Sequence, residues 1–190
     1  MRKIIVSEFV TLDGVMEAPG GEPGHPHSGW VIEHMSPEQL DYKLAEVLEA
    51  QSLLIGRVTY ASFAGAWPAR TGEFAEKMNA MPKHVVSATL RNPEWNNASV
   101  IRGDVAREVA RLKQPDGGPI LVAGSRTLVH ALMQHDLVDE YRLMVFPVVL
   151  GSGRRLFPET QDKTLLRLLD TRTFGSGVVV HTYCPVRATK

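Results

Sequence analysis

Two spacings of apolar residues alternate along the chain. Lys3–Val10 is rich in β-branched residues and stops at Thr11-Leu12-Asp13-Gly14, the pattern of a strand closed by a turn. Glu17–Met35 has no period and holds Pro19, Gly20, Gly21, Pro23, Gly24, Pro26 and Gly29. A loop of that length inside a compact fold belongs either to function or to disorder. Ser36-Pro37-Glu38-Gln39 then supplies an N-cap, a proline at the first helical position and a capping-box partner. Leu40, Leu44, Val47 and Leu48 follow at helical spacing, so a helix is expected over residues 36–50, with these leucines and the valine as its apolar stripe.

Shorter elements succeed one another from there. Ser52–Ile55, ending at Gly56, reads as a buried strand, Arg57–Ala64 as a helix stopped by Trp67-Pro68, and Thr71–Asn79 as a helix stopped before Pro82. Lys83–Ser87 and Ala98–Ile101 read as strands, and Asp104–Lys113 as an amphipathic helix with Val105, Val109 and Leu112 on one stripe. Beyond the turn Pro115–Pro119 come a strand at Ile120–Ala123 and a helix at Arg126–Met133. Val138–Leu150 is β-rich but interrupted by Pro147, so its strand leaves the sheet or reaches its edge there. Leu165–Phe174 and Val178–Val186 flank Gly175-Ser176-Gly177 as a hairpin. Strands alternating with helices, followed by successive strands, imply an α/β fold with helices on both faces of a mostly parallel sheet and an antiparallel C-terminal hairpin. With no internal repeat and no linker, residues 1–190 are expected to form one domain.

Composition narrows the choice of partners. A chain of 190 residues buries roughly 70% of its unfolded surface and needs no staple to fold. The lone cysteine, Cys184, excludes an intrachain disulfide and a cysteine-rich zinc site, which suits a reducing cytoplasm. Twenty-one Lys+Arg against 21 Asp+Glu give no net charge, which argues against a nucleic-acid binder. The apolar run after Arg2 and Lys3 breaks at Ser7 and Glu8, too early for a signal peptide. No stretch approaches the ~20 apolar residues of a membrane span, so a cytoplasmic protein with neither nucleic acid nor membrane as partner is expected.

Chemistry is expected at the strand–glycine–helix junctions, because open α/β sheets bind ligands beyond the carboxyl ends of their strands. There are two, Leu53–Tyr60 around Gly56 and Ile120–Leu128 around Gly124. At each, glycine admits a close approach to the backbone, a helix N-terminus faces the gap, and an arginine with a hydroxyl residue stands beside it: Arg57 with Thr59, and Arg126 with Ser125 and Thr127. Either glycine alone also fits a plain tight turn. The matching pair shifts the reading toward a phosphate-bearing ligand. Neither junction is a dinucleotide fingerprint or a P-loop. His25, His27, Glu33 and His34 lie in a Gly/Pro-rich loop, a poor frame for a metal, and no metal is expected.

In order and spacing, several segments resemble the dihydrofolate reductase-like superfamily, specifically stand-alone relatives of the reductase domain of riboflavin biosynthesis. These are Thr11–Val15, Ile55–Tyr60, Val85–Ser87, Val122–Leu128 and Phe146–Phe157. The zinc-deaminase motifs His-x-Glu and Pro-Cys-x-x-Cys of the bifunctional members are not in this sequence. The resemblance implies a three-layer α/β/α fold, NADPH as cofactor, a homodimer, and a reductase of a small pyrimidine- or pterin-like substrate. The alternative is a protein of the same fold that binds a nucleotide or folate-like ligand without turnover. By the same resemblance Arg57, Thr59 and Ser87 meet the adenosine 2′-phosphate and its neighbours, and Gly124, Ser125, Arg126 and Thr127 hold the pyrophosphate alongside Gly56. Dihydrofolate reductases carry a carboxylate on the first helix, where Asp41 stands here. Asp41 is either a partly desolvated acid catalyst or an aspartate favoured by the helix dipole. Asp13 with Gly14 is either a substrate contact or a simple Asp-Gly turn, and Trp30 either stacks on the ligand or packs at the surface.

Overall fold

The computed structural model describes residues 1–160 and 163–187. Its strands are β1 (Ile4–Thr11), β2 (Ser52–Gly56), β3 (Lys83–Val86), β4 (Ala98–Ile101), β5 (Ile120–Val122), β6 (Glu140–Phe146), β7 (Leu166–Thr173) and β8 (Val179–Pro185). The helices are α1 (Pro37–Glu49), α2 (Arg57–Ala66), α3 (Glu73–Ala80), α4 (Val105–Lys113) and α5 (Arg126–Gln134). The strands form one eight-stranded sheet in the order β4-β3-β2-β5-β1-β6-β8-β7. Ladders from β4 through β6 are parallel, and β8 and β7 pair antiparallel at the far edge. The expected mostly parallel α/β architecture with an antiparallel C-terminal hairpin is the one observed.

Successive strand residues point to opposite faces, and the core divides accordingly. Ile4, Val6, Leu54, Ile120 and Val122 pack with Val109 of α4 and Leu128, Val129 and Leu132 of α5. On the other face Ile5, Leu53, Ile55 and Leu121 meet Val47 of α1, Tyr60 of α2 and Met78 of α3. A third cluster, of Trp30, Met144, Phe146, Phe174 and Val180, fills the space beneath the long loop. β1 is buried along almost its whole length, as a strand covered on both faces must be.

Two boundaries lie inside the helical or β-rich run of the sequence, each for a local reason. α3 begins at Glu73 instead of Thr71, because Gly72 adopts φ +92°, which no helical residue does. β6 ends at Phe146, as the interruption at Pro147 implied, since Pro147 has no N–H for the ladder. A further difference concerns which side of α1 is buried. Leu40 and Leu48 of the expected stripe are 49% and 42% exposed, while Gln39, Glu46 and Val47 are buried.

Candidate active site

The sheet contains a switch point beside β1. The β1–β5 ladder ends at Val6–Val122, whereas the β1–β6 ladder runs on to Thr11–Phe146. From Ser7 onward, the edge of β1 that faces β5 therefore has no strand paired with it, and it is at such a switch point, beyond the carboxyl ends of the strands, that an open α/β sheet forms its binding crevice. β5 turns away at Gly124, which has φ +79° and a cis peptide bond to Ser125.

The two glycine turns flank this crevice and touch each other. A β-carbon on Gly56 would lie 2.2 Å from Ser125 Oγ, and one on Gly124 would lie 2.7 Å from Thr59 Oγ1. Both glycines are thus required by the contact between the turns, whatever ligand they meet. The contact brings the N-termini of α2 and α5 side by side, with the Thr59 and Ser125 hydroxyls between them. Arg57, exposed at the start of α2, is engaged by no other described side chain or carbonyl. Arg126 donates from Nε to the Arg155 carbonyl at 3.0 Å, and Thr127 is exposed on the first turn of α5. Ser87 ends the neighbouring strand, where its Oγ accepts the Thr89 and Leu90 N–H groups at 3.2 and 2.9 Å and shapes the turn. Adjacent helix N-termini with hydroxyls, a free guanidinium and bare backbone form the donor set a pyrophosphate requires. Gly56, Arg57, Thr59 and the Gly124–Thr127 turn are the residues that would hold a dinucleotide.

On the other side of the crevice, Asp13 is occupied by its own chain. Its Oδ1 accepts from the Thr11 hydroxyl at 2.6 Å and the Leu150 N–H at 3.2 Å, and its Oδ2 from the Gly151 N–H at 2.8 Å. These bonds, Thr11 foremost, hold its pKa below the usual carboxylate range. Asp13 and Gly14 thereby fasten the 150–156 segment to the first turn, with the Gly14 carbonyl accepting from Leu156 N–H at 2.9 Å. Trp30 is not at the surface. It is buried edge-on against Phe146, with ring centroids 5.4 Å apart, and its indole N–H donates to the Glu17 carbonyl at 2.8 Å. Trp30 pins the long loop down. Asp41 is exposed on α1, so the desolvation that motivated it is absent.

Buried charge lies elsewhere, at residues the pattern reading did not select. Glu8 projects from β1 and accepts the Gly124 N–H at 2.6 Å. Burial pushes its pKa up to about 8, against the opposing effects of that hydrogen bond and of Lys43. On the opposite face of β1, the Ser7 hydroxyl donates to Glu46 Oε2 at 2.9 Å, and the Lys43 ammonium donates to Ser7 Oγ at 2.6 Å and to Glu46 Oε2. Glu46 Oε1 is buried without a hydrogen-bond donor, 3.8 Å from Arg142 Nη1. One signal for Glu8 was present in the sequence, a carboxylate within an otherwise apolar strand. Lys43 and Glu46, spaced i,i+3, read as a solvated surface pair.

Two surface depressions lie away from the crevice. One of about 440 Å³ sits between α2 and the 90–95 segment, and one of about 320 Å³ lies at the amino end of β1. Among the described residues, no three His, Cys, Asp or Glu side chains converge as a metal-holding group, and no helix is long and apolar enough to cross a membrane.

The parallel sheet, its antiparallel hairpin and the paired glycine turns at the switch point define an open α/β domain with its candidate site at the carboxyl end of the strands. Residues 2–180 match the RibD C-terminal domain, and the chain belongs to that family. Over 188 residues it is 34% identical to the uncharacterized protein YyaP of Bacillus subtilis, covering 96% of this chain and 94% of that one. A crystal structure provisionally named for riboflavin biosynthesis, from Shewanella sp. PV-4, superposes with a TM-score of 0.75 at 22% identity, over 97% of this chain and 99% of that one. The deaminase/5-amino-6-(5-phosphoribosylamino)uracil reductase of Thermotoga maritima superposes with a TM-score of 0.66 at 13% identity, over 97% of this chain and 57% of that longer one.

Proposed function

We propose that this protein is an NADPH-dependent reductase of a small pyrimidine- or pterin-like heterocycle. The observation that carries the reading is the contact between the Gly56 and Gly124 turns, which sets two helix N-termini and the free Arg57 guanidinium at the switch point of the sheet. The reduced nicotinamide would supply the hydride, and the protein supplies binding and orientation. Gly124, Ser125, Arg126 and Thr127, with Gly56, cradle the pyrophosphate, while Arg57, Thr59 and Ser87 face the adenosine phosphate end. The open edge of β1 beyond Val6 offers unpaired backbone groups to a flat amide-bearing ring. Calorimetric titration with NADPH and NADH tests the reading, and failure of both to bind below millimolar concentration refutes it. Arg57→Ala should weaken NADPH binding about 10-fold or more, as expected for loss of a charged hydrogen bond, and leave NADH unchanged. Equal losses for both would remove Arg57 from 2′-phosphate recognition. Cofactor binding without turnover of pyrimidines or pterins would instead assign a ligand-binding protein. A homodimer is part of the proposal, supported by the outermost strand β7, whose segment exposes Leu165, Leu168 and Leu169. Light scattering of the purified chain reads that directly.

A further inference from the structure

Helix α1 turns a polar stripe inward. Gln39 and Glu46 are buried, Lys43 stands between them, and Leu40 and Leu48 face outward. Gln39 closes the capping box of α1, whereas the Lys43–Glu46 pair is weak evidence for stability, because buried ion pairs can often be replaced by apolar residues at no net cost. An ammonium has three N–H donors. Ser7 Oγ and Glu46 Oε2 take two of those on Lys43. No other described residue accepts the third. The Lys43 side chain keeps 14% exposure and that of Glu46 2%, so within the pair it is the lysine that retains contact with the surface.

The lysine tip stands at the crevice. Ser7 is the first residue of β1 past its last pair with β5, and the ammonium bonded to it lies 5.3 Å from the centroid of the Phe9 ring. From the opposite face of the strand, Glu8 reaches the Gly124 N–H. Lys43 and the Gly124 turn thus flank one stretch of backbone. The charged groups that act on this cluster are Glu46, bonded to the ammonium, Glu8 on β1, which feels the charges of both Lys43 and Glu46, and Arg142 on β6 beside Glu46. Arg142 draws on Glu49 at 2.9 Å, Glu140 at 2.7 Å and Glu46 at 3.8 Å. Glu46 is therefore flanked by two cations and fixes the direction of the Lys43 tip.

We propose that Lys43 is a substrate-contacting residue, its third N–H donating to a ring carbonyl oxygen of a uracil-type heterocycle laid along the open edge of β1 beside Phe9. Ser7 and Glu46 are positioning residues for that ammonium. The inference rests on the reductase reading for the purpose of the crevice, but the contact itself is a matter of equilibrium binding. The test is calorimetric titration of the full chain with 5-amino-6-(ribitylamino)uracil, with and without saturating NADP+, alongside a separate NADPH titration. The wild-type chain should bind the probe. Lys43→Gln should weaken that binding by about 10- to 100-fold, as for loss of a charged hydrogen bond, with NADPH affinity unchanged within about twofold. Lys43→Arg should restore most of the probe affinity, which repair of a merely structural defect would not require. If Lys43→Gln fails to fold because Glu46 is left buried without its partner, the Lys43→Gln/Glu46→Gln double variant carries the same expectation. No binding of the probe by the wild type, or binding by Lys43→Gln within twofold of it, overturns the proposal. Loss of NADPH binding alone, with Lys43-dependent probe binding intact, refutes the reductase reading instead.

Discussion

Glu8 makes the stability of this fold depend on pH with a sign opposite to that of most carboxylates. Its carboxyl is buried within β1 and accepts the Gly124 N–H, and burial raises its pKa from 4.5 to about 8. Between those values the folded chain holds a proton that the unfolded chain has released. Stability contributed by the group is therefore fully present below about pH 4.5 and is lost as pH rises toward 8. Each unit in that window is worth about 1.4 kcal/mol. Going from pH 5.5 to 8.5 should cost about 3 kcal/mol through this group alone. Glu8→Gln keeps an acceptor oxygen for Gly124 and removes the titration. Urea unfolding of both proteins at several pH values isolates the effect, since every other group titrates alike in the two and cancels in the difference. The glutamine variant should gain about 3 kcal/mol relative to wild type between pH 5.5 and 8.5. Parallel stability curves would show that the carboxyl ionises as if solvated, and would refute the reasoning. Binding of a phosphate-bearing ligand at the Gly124 turn should weaken over the same rise in pH, because an ionised Glu8 lies one hydrogen bond behind the turn.

The remaining predictions concern backbone geometry and a buried cation. Gly124→Ala places a methyl group 2.7 Å from Thr59 Oγ1 at a residue with φ +79°. It should cost about 1–3 kcal/mol in urea unfolding and abolish NADPH binding in calorimetry, whereas unchanged binding would mean that the contact between the turns does not shape the site. Lys83 is fully buried and donates to the carbonyls of Asn79, Met81 and Asn96 at 2.8–2.9 Å, with its ammonium 4.3 Å from the Trp95 ring centroid. Lys83→Met takes the ammonium from all three, leaving only the Asn79 carbonyl a second side-chain donor, Asn96 Nδ2 at 3.4 Å, and should destabilise the fold by about 2–4 kcal/mol without changing NADPH affinity.

Much of this architecture is local in origin, and that part was legible. Ser36-Pro37 starts α1, Pro147 stops β6, Gly175–Gly177 joins the last two strands, and Gly56 and Gly124 mark the turns, each through a backbone requirement confined to a few residues. The order of the sheet is not local. Placing β5 between β2 and β1 depends on pairings between residues far apart in the chain, Ile120 with both Ile4 and Ser52, and it is this insertion that ends the β1–β5 ladder early and opens the crevice. The reading of α1 failed for a related reason. Leu40, Leu44, Val47 and Leu48 satisfy a helical period, yet of these only Val47 is buried, and the helix turns Gln39, Lys43 and Glu46 inward beside it, a choice made by Ser7 and Arg142 on strands far away in sequence. Apolar spacing reports the cheapest face to bury, and a helix that buries a costlier one pays stability for something other than stability. That mismatch and the glutamate inside an apolar strand meet at one place, since Lys43 and Glu46 bond the Ser7 hydroxyl and Glu8 is the next residue of β1. Asp41 of α1 is exposed, and the buried carboxylate of that helix is Glu46, beside Val47.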